Sequence, residues 1–190
     1  ITSPQPTRAE INDVANAVLD GADALMVSGE TSVGKFPVGV IRNMQKIIRS
    51  VEKEDSIYHS SVKPHKDSDT FLSDALCKTA VDTSEFSHAR AIASMTVSGY
   101  TAFKISSFRP HANIFIFTGN TKLLTQLSLV WGVRGFYYDK YQSTDQTIEE
   151  VNNELLKAGF LDHGDIVINT ASMPIKERSR TNAIKISVIK

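Results

Sequence analysis

The 190-residue chain carries 21 basic and 21 acidic residues, and 41% of its residues are hydrophobic. This composition supplies enough apolar side chains for the core of one domain, or of one domain with an appendage. Because the formal net charge is zero, the composition gives no support for a nucleic-acid, anionic-membrane or acidic-polymer partner, and it favours small ligands.

Further features of the sequence bear on the cellular compartment of the protein and on whether the chain is a fragment. The single cysteine, Cys77, excludes an internal disulfide; it lies on an expected helix beside Leu76 and Ala80, which predicts burial and favours a cytoplasmic protein. No apolar run reaches the roughly 18 residues of a membrane helix, and the first six residues do not resemble a signal peptide. The first residue is not methionine, which favours a fragment of a longer protein.

The first expected element is a helix that begins after Thr7. Thr7 and Glu10 have the Thr-x-x-Glu spacing of a capping box, and Gly21 suits the left-handed position that ends a helix. Between them, apolar residues recur at helical spacing and predict one buried face: Ile11, Val14, Ala15, Val18 and Leu19. Residues 24–27 are then expected to form a short buried strand.

Small and polar residues, Ser28 to Thr31, follow this expected strand. Parallel α/β folds place their functional residues at the carboxyl ends of strands, although an ordinary strand-to-helix turn is the alternative interpretation. A further helix is predicted from Pro37, which is a favourable first helical residue. Residues 1–52 therefore give helix, strand and helix, which is too little for a barrel of eight strand–helix units.

Residues 53–69 are polar, charged and without periodic apolar content, which predicts an exposed linker. Beyond them, helices alternate with short apolar strands, which predicts an α/β domain with a mainly parallel five-stranded sheet covered on both faces. Only a loop precedes the last strand, so its direction is open. The predicted helices are 70–83, 101–108, 121–130 and 144–158, and the predicted strands are 91–95, 114–118, 135–139, 165–170 and 183–189. The face expected to be buried in helix 70–83 consists of Phe71, Leu72, Ala75, Leu76, Thr79 and Ala80.

The loop Thr96–Thr101 joins a strand to a helix, so that its free amides and the helix dipole favour an anion there. Hydroxyls of Thr96, Ser98 and Thr101 add donors, and Gly99 permits the backbone angles of an anion-binding nest. The loop is therefore a candidate phosphate site. An ordinary capped strand-to-helix turn is the alternative.

A second loop, residues 171–180, contains Lys176, Arg178 and Arg180. If the two preceding strands are parallel, both loops meet at one edge of the sheet, and the second loop is a candidate for holding a second phosphate. A solvated basic loop is the alternative.

Neither the aromatic residues nor the histidines carry a recognisable site. The aromatic residues near Trp131 straddle a helix end and a strand, which favours core packing over a platform for bases. The five histidines lack metal-ligand spacing, and Ser28 lacks a nucleophile elbow. We therefore expect no metal site and no hydrolase triad.

Residues 6–31 closely resemble the end of the catalytic barrel of pyruvate kinases. The later part of the chain resembles the regulatory carboxyl-terminal domain of the same family through five short stretches: Thr96–Ala102, Arg109–Pro110, Trp131–Val133, Gly164–Asp165 and Thr181–Asn182. The resemblance covers essentially the whole chain. It implies a remnant of a (β/α)8 barrel in residues 1–52, a linker over 53–69 and an allosteric α/β domain in residues 70–190.

Pyruvate kinases transfer the phosphoryl group of phosphoenolpyruvate to ADP, giving pyruvate and ATP, with Mg2+ and K+ neutralising negative charge. The resemblance implies that the catalytic lysine and the Mg2+ ligands belong to earlier barrel strands, so that this chain binds no metal and is inactive alone. It also implies that Thr7 and Arg8 lie near the active site and a subunit interface. Ser28 and Glu30 would support the substrate site, with Ser28 in its proton-relay network.

For regulation, the resemblance implies that Thr96, Ser98, Gly99, Tyr100 and Thr101 bind a phosphate of a sugar-phosphate activator. The second loop is longer and less glycine-rich than in animal enzymes, and Thr147 stands where an arginine contact is expected. A monophosphorylated sugar or nucleotide is therefore favoured over fructose 1,6-bisphosphate.

The family also suggests a homotetramer, and the apolar helix faces of residues 1–52 predict self-association of the isolated chain. Two other interpretations stay open: a stand-alone phosphometabolite-binding module that retains this fold, and a purely structural interaction protein.

Overall fold

The structure is a computed structural model that describes residues 3–58, 61–140, 143–174 and 179–190. The chain forms two compact units, Ile1–Ile57 (unit 1) and Tyr58–Lys190 (unit 2). The division falls within residues 53–69, and the identity of the two parts as barrel remnant and allosteric domain stays a prediction. In the described part of the chain, no helix has the length and apolar character needed to span a membrane.

Unit 1 begins with helix α1 (Arg8–Leu19), whose start is the predicted capping box. The Glu10 amide donates to Thr7 Oγ1 at 3.3 Å, and the Thr7 amide donates to Glu10 Oε2 at 2.7 Å. Each side chain thereby satisfies an amide that has no intrahelical partner. After the helix, Gly21 adopts the predicted left-handed conformation, with φ of 86°.

The predicted strand at residues 24–27 is wrong. These residues belong to no β ladder, and the described part of unit 1 contains no other strand with which they could pair. A single strand cannot satisfy its backbone amides and carbonyls through a sheet, so the apolar run forms irregular chain instead. A short helix, α2 (Gly29–Ser32), and the predicted helix α3 (Pro37–Val51) follow, and a 3-10 turn spans Asp55–Ile57.

Unit 2 has the predicted alternation, with boundaries that differ by a few residues. The elements are α4 (Phe71–Phe86), β1 (Ala91–Met95), α5 (Tyr100–Ser107), β2 (Asn113–Thr118), α6 (Thr121–Leu127), β3 (Val133–Tyr137), α7 (Thr144–Lys157), β4 (Ile166–Ala171) and β5 (Ala183–Val188). The strands lie in the order β3-β2-β1-β4-β5; β1 to β4 are parallel, and the last strand, whose direction the sequence left open, pairs antiparallel with β4. The α/β fold class is thus confirmed.

Two apolar clusters cover the two faces of this sheet. Residues of α4, α5 and α6 pack on one face, where Ile92 and Ile168 are fully buried. Residues of α7 pack on the other, around Phe117 and Val167. Burial on both faces explains why β1, β2 and β4 are apolar almost throughout.

Helix α4 is buried on a different face from the one its largest apolar residues predict. The sequence suggests a face that includes Leu72 and Leu76, but Leu72 is 80% exposed. The buried residues are smaller: Ser73, Asp74, Cys77, Ala80, Val81 and Ser84. Small side chains on the buried face let the helix pack closely against the sheet. The helix therefore buries its small residues and leaves the large Leu72 exposed.

The aromatic residues after α6 mostly pack within unit 2, as the sequence favours. Tyr138 is buried, and the rings of Phe117 and Phe136 stack with centroids 5.1 Å apart. The Arg109 guanidinium lies 4.7 Å from the centre of the Trp131 ring. Strand β3 is only partly buried, because it forms an edge of the sheet.

Candidate functional site

A pocket of about 380 Å³ lies at the carboxyl edge of the sheet in unit 2, beside the ends of β1 and β4. The chain proceeds from β1 outward to β2 and β3, and then returns to place β4 on the other side of β1. The strand order therefore reverses between β1 and β4. In open α/β sheets, ligands bind in the crevice at the carboxyl ends of strands where this reversal occurs.

The loop after β1 forms one wall of the pocket through Thr96, Val97, Ser98, Tyr100 and Thr101. The Gly99 amide donates to Thr96 Oγ1 at 3.0 Å, and the Tyr100 amide lies 3.4 Å from Ser98 Oγ. These two contacts stabilise the turn by which the loop enters the first turn of α5. The first amides of a helix have no intrahelical partner, so this turn offers donors and a favourable dipole to an anion.

Gly99 is required at its position by both backbone conformation and space. Its φ is 87°, in the left-handed region that side chains disfavour. A Cβ atom there would lie 2.5 Å from Leu123 Cδ1 and 3.1 Å from Phe103 Cε2. Any other residue at this position would strain the loop and push against Leu123.

The second predicted loop also reaches the pocket, where Ser172, Ser179, Arg180 and Thr181 form part of the lining. The Thr101 and Thr181 hydroxyl oxygens are 2.7 Å apart and both residues are buried, so the two loops are joined by a hydrogen bond. The Arg180 guanidinium donates to the Asp69 carbonyl. The other two predicted cations, Lys176 and Arg178, lie outside the described residues.

The polar groups in the described lining of the pocket are mostly side-chain hydroxyls, together with one cation. Among the described residues that line it, Arg180 alone carries a positive charge, and none carries a carboxylate. Hydroxyls donate and accept hydrogen bonds, as the hydroxyls of a sugar do. A guanidinium and helix-terminal amides favour phosphate oxygens.

Helix α4 contributes residues that the sequence did not single out. Thr70 and Ser73 line the pocket, and Asp74 lies behind them with its side chain 5% exposed. The Tyr100 hydroxyl donates to Asp74 Oδ1, which joins the first turn of α5 to the first turn of α4. The sequence signal that could have identified this cluster was Asp74 itself. A carboxylate on a helix that packs against a sheet requires hydrogen-bond donors nearby.

Burial and hydrogen bonding act in opposite directions on Asp74. Burial raises its pKa, but hydrogen bonds from Tyr100, Lys104 and Thr70, together with the Lys104 charge, lower the pKa below its ordinary value. Burial and the bond to Asp74 raise the pKa of Tyr100. At neutral pH the pair therefore consists of a carboxylate that accepts and a phenol that donates.

In unit 1, the predicted residues Ser28 and Glu30 are neighbours, and the Glu30 carboxylate accepts a hydrogen bond from the Ser28 amide at 2.9 Å. Hydrogen bonds from the Glu30 and Ser28 amides lower the pKa of Glu30. Thr7 is exposed and its hydroxyl serves the capping box, and Arg8 is exposed on the first turn of α1.

The described residues include no group of three or more histidine, cysteine, aspartate or glutamate side chains that could hold a metal ion. Thr147, which stands where an arginine was expected, is fully buried on α7. Its hydroxyl has no hydrogen-bond partner among the described residues, and Thr147 is not among those that line the pocket.

Comparison with known proteins relates both units to one family. A family model described as "Pyruvate kinase, alpha/beta domain" matches residues 74–187, and one described as "Pyruvate kinase, barrel domain" matches residues 1–41. Pyruvate kinase 2 of Synechocystis sp. is 40% identical over 190 residues, which are 100% of this chain and 32% of that protein. The pyruvate kinase of Geobacillus stearothermophilus is 36% identical over 189 residues, or 98% of this chain and 32% of that protein.

A solved structure gives the same result at the level of the fold. The crystal structure of a pyruvate kinase from Cryptosporidium parvum matches with a TM-score of 0.84 and 29% sequence identity, covering 100% of this chain and 37% of that one. The chain thus spans about a third of the length of the curated relatives described above. Since one family model matches more than half of the chain and the relatives are similar throughout it, the chain belongs to the pyruvate kinase family.

Proposed function

We propose that this chain is the carboxyl-terminal part of a glycolytic pyruvate kinase, and that the pocket of unit 2 binds a phosphorylated small-molecule effector. One observation carries the effector proposal: the pocket lies where the strand order reverses, and the first turn of α5, several hydroxyls and Arg180 converge there. Such a site suits a phosphate attached to a polyhydroxylated group.

We propose a monophosphate rather than a bisphosphate, because Thr147 stands where the family resemblance predicts an arginine contact. Two phosphates carry about four negative charges at neutral pH, and they require several cations to offset their loss of hydration. Arg180 is the one cation in the described lining, and Lys176 and Arg178 lie outside the described residues. Thr147 itself is fully buried on α7. Ribose 5-phosphate, glucose 6-phosphate and AMP are therefore better candidates than fructose 1,6-bisphosphate.

We propose that the chain alone does not convert phosphoenolpyruvate and ADP to pyruvate and ATP. The described residues offer no cluster of ligands for Mg2+, so they do not fit that ion, and we assign the Mg2+ and K+ sites of the intact enzyme to the part of the protein outside this chain. Thr7, Arg8, Ser28 and Glu30 would support the substrate site from the end of the barrel. A pyruvate assay with Mg2+ and K+ tests this, and metal-dependent pyruvate formation by the pure chain would contradict it.

We further propose that the intact enzyme is a cytoplasmic homo-oligomer. In unit 1, large apolar side chains such as Met26, Val33 and Ile41 are more than half exposed. These side chains are suited to pack against the rest of a barrel or against another copy of the chain.

Calorimetric titration tests the effector site. The ligands are ribose 5-phosphate, glucose 6-phosphate, AMP, fructose 1,6-bisphosphate and inorganic phosphate, each added to the parent chain and to Ser98→Ala and Arg180→Gln. We expect selective binding of one monophosphate, weakened about tenfold or more in each variant, because a hydrogen bond to a charged group contributes about 1.5–3 kcal/mol.

Ser107→Ala is the matched control, since Ser107 lies at the far end of α5 and its hydroxyl donates to the Lys104 carbonyl. This variant should bind as the parent does. Equal binding of all five ligands, or binding that Arg180→Gln leaves unchanged, would contradict the proposed site.

A further inference from the structure

The strongest polar cluster outside the pocket wall centres on Asp74. Its Oδ1 atom accepts from the Tyr100 hydroxyl, and its Oδ2 atom accepts from Thr70 Oγ1 at 3.2 Å. Lys104 Nζ lies 3.1 Å from the same Oδ2 atom. One buried carboxylate therefore has three donors, which come from the start of α4 and from two successive turns of α5.

Asp74 is separated from the pocket by its own partners. Thr70 and Tyr100 line the pocket, whereas Asp74 is absent from the described lining. On the other side of the same helical turn, Thr101 is held by the Thr181 hydroxyl. The first turn of α5 is thus fixed from both sides, by α4 through Asp74 and by the second loop through Thr181.

We propose that Asp74 is a positioning residue for the anion pocket: it holds the Tyr100 phenol and the Lys104 ammonium in place, and it thereby sets the phosphate affinity of the first turn of α5 without touching the ligand. This inference rests on the proposed function of the pocket. Its physical basis is preorganisation, because donors that are already held in place lose less conformational entropy when an anion binds.

Simple electrostatics predicts the opposite result. A negative charge close to an anion site repels the ligand, so replacement of Asp74 by a neutral residue should strengthen phosphate binding if charge alone mattered. Loss of the carboxylate also leaves Lys104 without this partner and makes the surroundings more positive. The two explanations therefore predict opposite changes in affinity for Asp74→Asn: weaker phosphate binding if Asp74 positions the donors, and stronger binding if only its charge matters.

The experiment measures binding of ribose 5-phosphate and inorganic phosphate to the full chain by calorimetry. The variants are Asp74→Asn, Tyr100→Phe and the double substitution, with Asp74→Glu as the conservative replacement. The matched control is Asp82→Asn, which removes a carboxylate of the same helix that pairs with Lys78. Thermal unfolding identifies any variant that fails to fold.

We expect about tenfold weaker binding in both variants, because Tyr100→Phe removes the hydrogen bond to Asp74 and Asp74→Asn replaces its charged acceptor with a neutral amide oxygen. The double variant should bind no more weakly than either single variant, which is the signature of two coupled residues. Asp74→Glu should recover part of the affinity, and Asp82→Asn should bind like the parent. Carbon-13 labelling of tyrosine should also show a lower pKa for Tyr100 in Asp74→Asn.

The two proposals can fail separately. If the parent chain binds and Asp74→Asn binds as tightly or more tightly, the positioning role is overturned and the effector site stands. If the parent chain binds neither these two probes nor any of the other phosphates titrated above, the effector site fails and the positioning role fails with it. If Asp74→Asn does not fold, Tyr100→Phe decides the question alone, and unchanged affinity in that variant would overturn the role.

Discussion

Both units contain amphipathic helices, but the units differ in how much of their apolar surface is buried. In the described part of unit 1, Val18 is the one apolar side chain that is buried, and α3 buries none. In unit 2, two clusters fill both faces of a five-stranded sheet. An apolar stripe predicts that a helix has a buried face, and a second layer must be present before that face is covered.

The candidate sites of the two units differ in the same way. The pocket in unit 2 is built on strands and helices whose own side chains are packed, so its walls are held in a fixed arrangement. Of the candidate residues in unit 1, Thr7, Arg8 and Ser28 are exposed and Glu30 is partly buried.

The largest expected contrast between the units comes from removing one large apolar side chain in each. Phe117→Ala should reduce the free energy of unfolding of unit 2 by about 3–5 kcal/mol, because Phe117 is fully buried. Ile41→Ala should change the stability of the monomer by less than about 0.5 kcal/mol, because Ile41 is 52% exposed. Denaturant unfolding followed by the fluorescence of Trp131, the single tryptophan, measures the first effect.

Circular dichroism and sedimentation measure the second effect. Ile41→Ala should weaken any self-association of the chain without unfolding it. A loss of several kcal/mol in Ile41→Ala at a concentration where the chain is monomeric would show that unit 1 has a core of its own, and the contrast would be lost.

A smaller effect is expected from backbone strain at the pocket. Gly99→Ala should destabilise unit 2 by about 2–3 kcal/mol, since the left-handed conformation and the contact with Leu123 both oppose a Cβ atom. Gly159→Ala is the control: its φ is 73°, but no atom lies within 4 Å of the added Cβ, so about 1 kcal/mol is expected.

The same two variants test whether the conformation of the loop after β1 affects phosphate binding. Gly99→Ala should also lose phosphate affinity at least tenfold, whereas Gly159→Ala should not. Equal stability losses in the two variants would mean that the loop after β1 relaxes freely, and it would weaken the case for a preorganised site.

The smallest effect concerns helix caps. Thr7→Ala and Ser143→Ala each remove a side chain that caps a helix start, worth about 1 kcal/mol. In Ser143→Ala the loss should appear in the global unfolding of unit 2. In Thr7→Ala, hydrogen exchange should accelerate at the amides of α1 alone. Acceleration throughout unit 2 in Thr7→Ala would show that the units unfold together.

Much of unit 2 could be predicted from the sequence because its local signals agree with its packing. Strand 91–95 is observed with the predicted bounds, and the loop after it lines the pocket as expected. The approach of the second loop followed from the parallel pairing of β1 and β4. Here, strand order and turn chemistry were enough to predict that both loops lie beside one pocket.

The errors arise where a long-range partner decides the outcome. Residues 24–27 have the composition of a strand but have no neighbouring strand in the described part of unit 1. The orientation of α4 depends on how closely a helix can approach the sheet, which the order of large and small residues does not reveal. Asp74 was missed because its donors, Tyr100 and Lys104, are 26 and 30 residues away and meet it only in the fold.

Because Cys77 on α4 is buried, the reactivity of its thiol can report how often α4 separates from the sheet. Its side chain is inaccessible, and burial, with a smaller contribution from the Asp74 charge, raises the pKa of the thiol to about 12. Because thiol reagents attack the thiolate, modification should require that α4 separate from the sheet. The rate at which a thiol reagent labels the native chain would thus measure how often this layer opens, and a bound effector that clamps α4 to α5 should slow that rate.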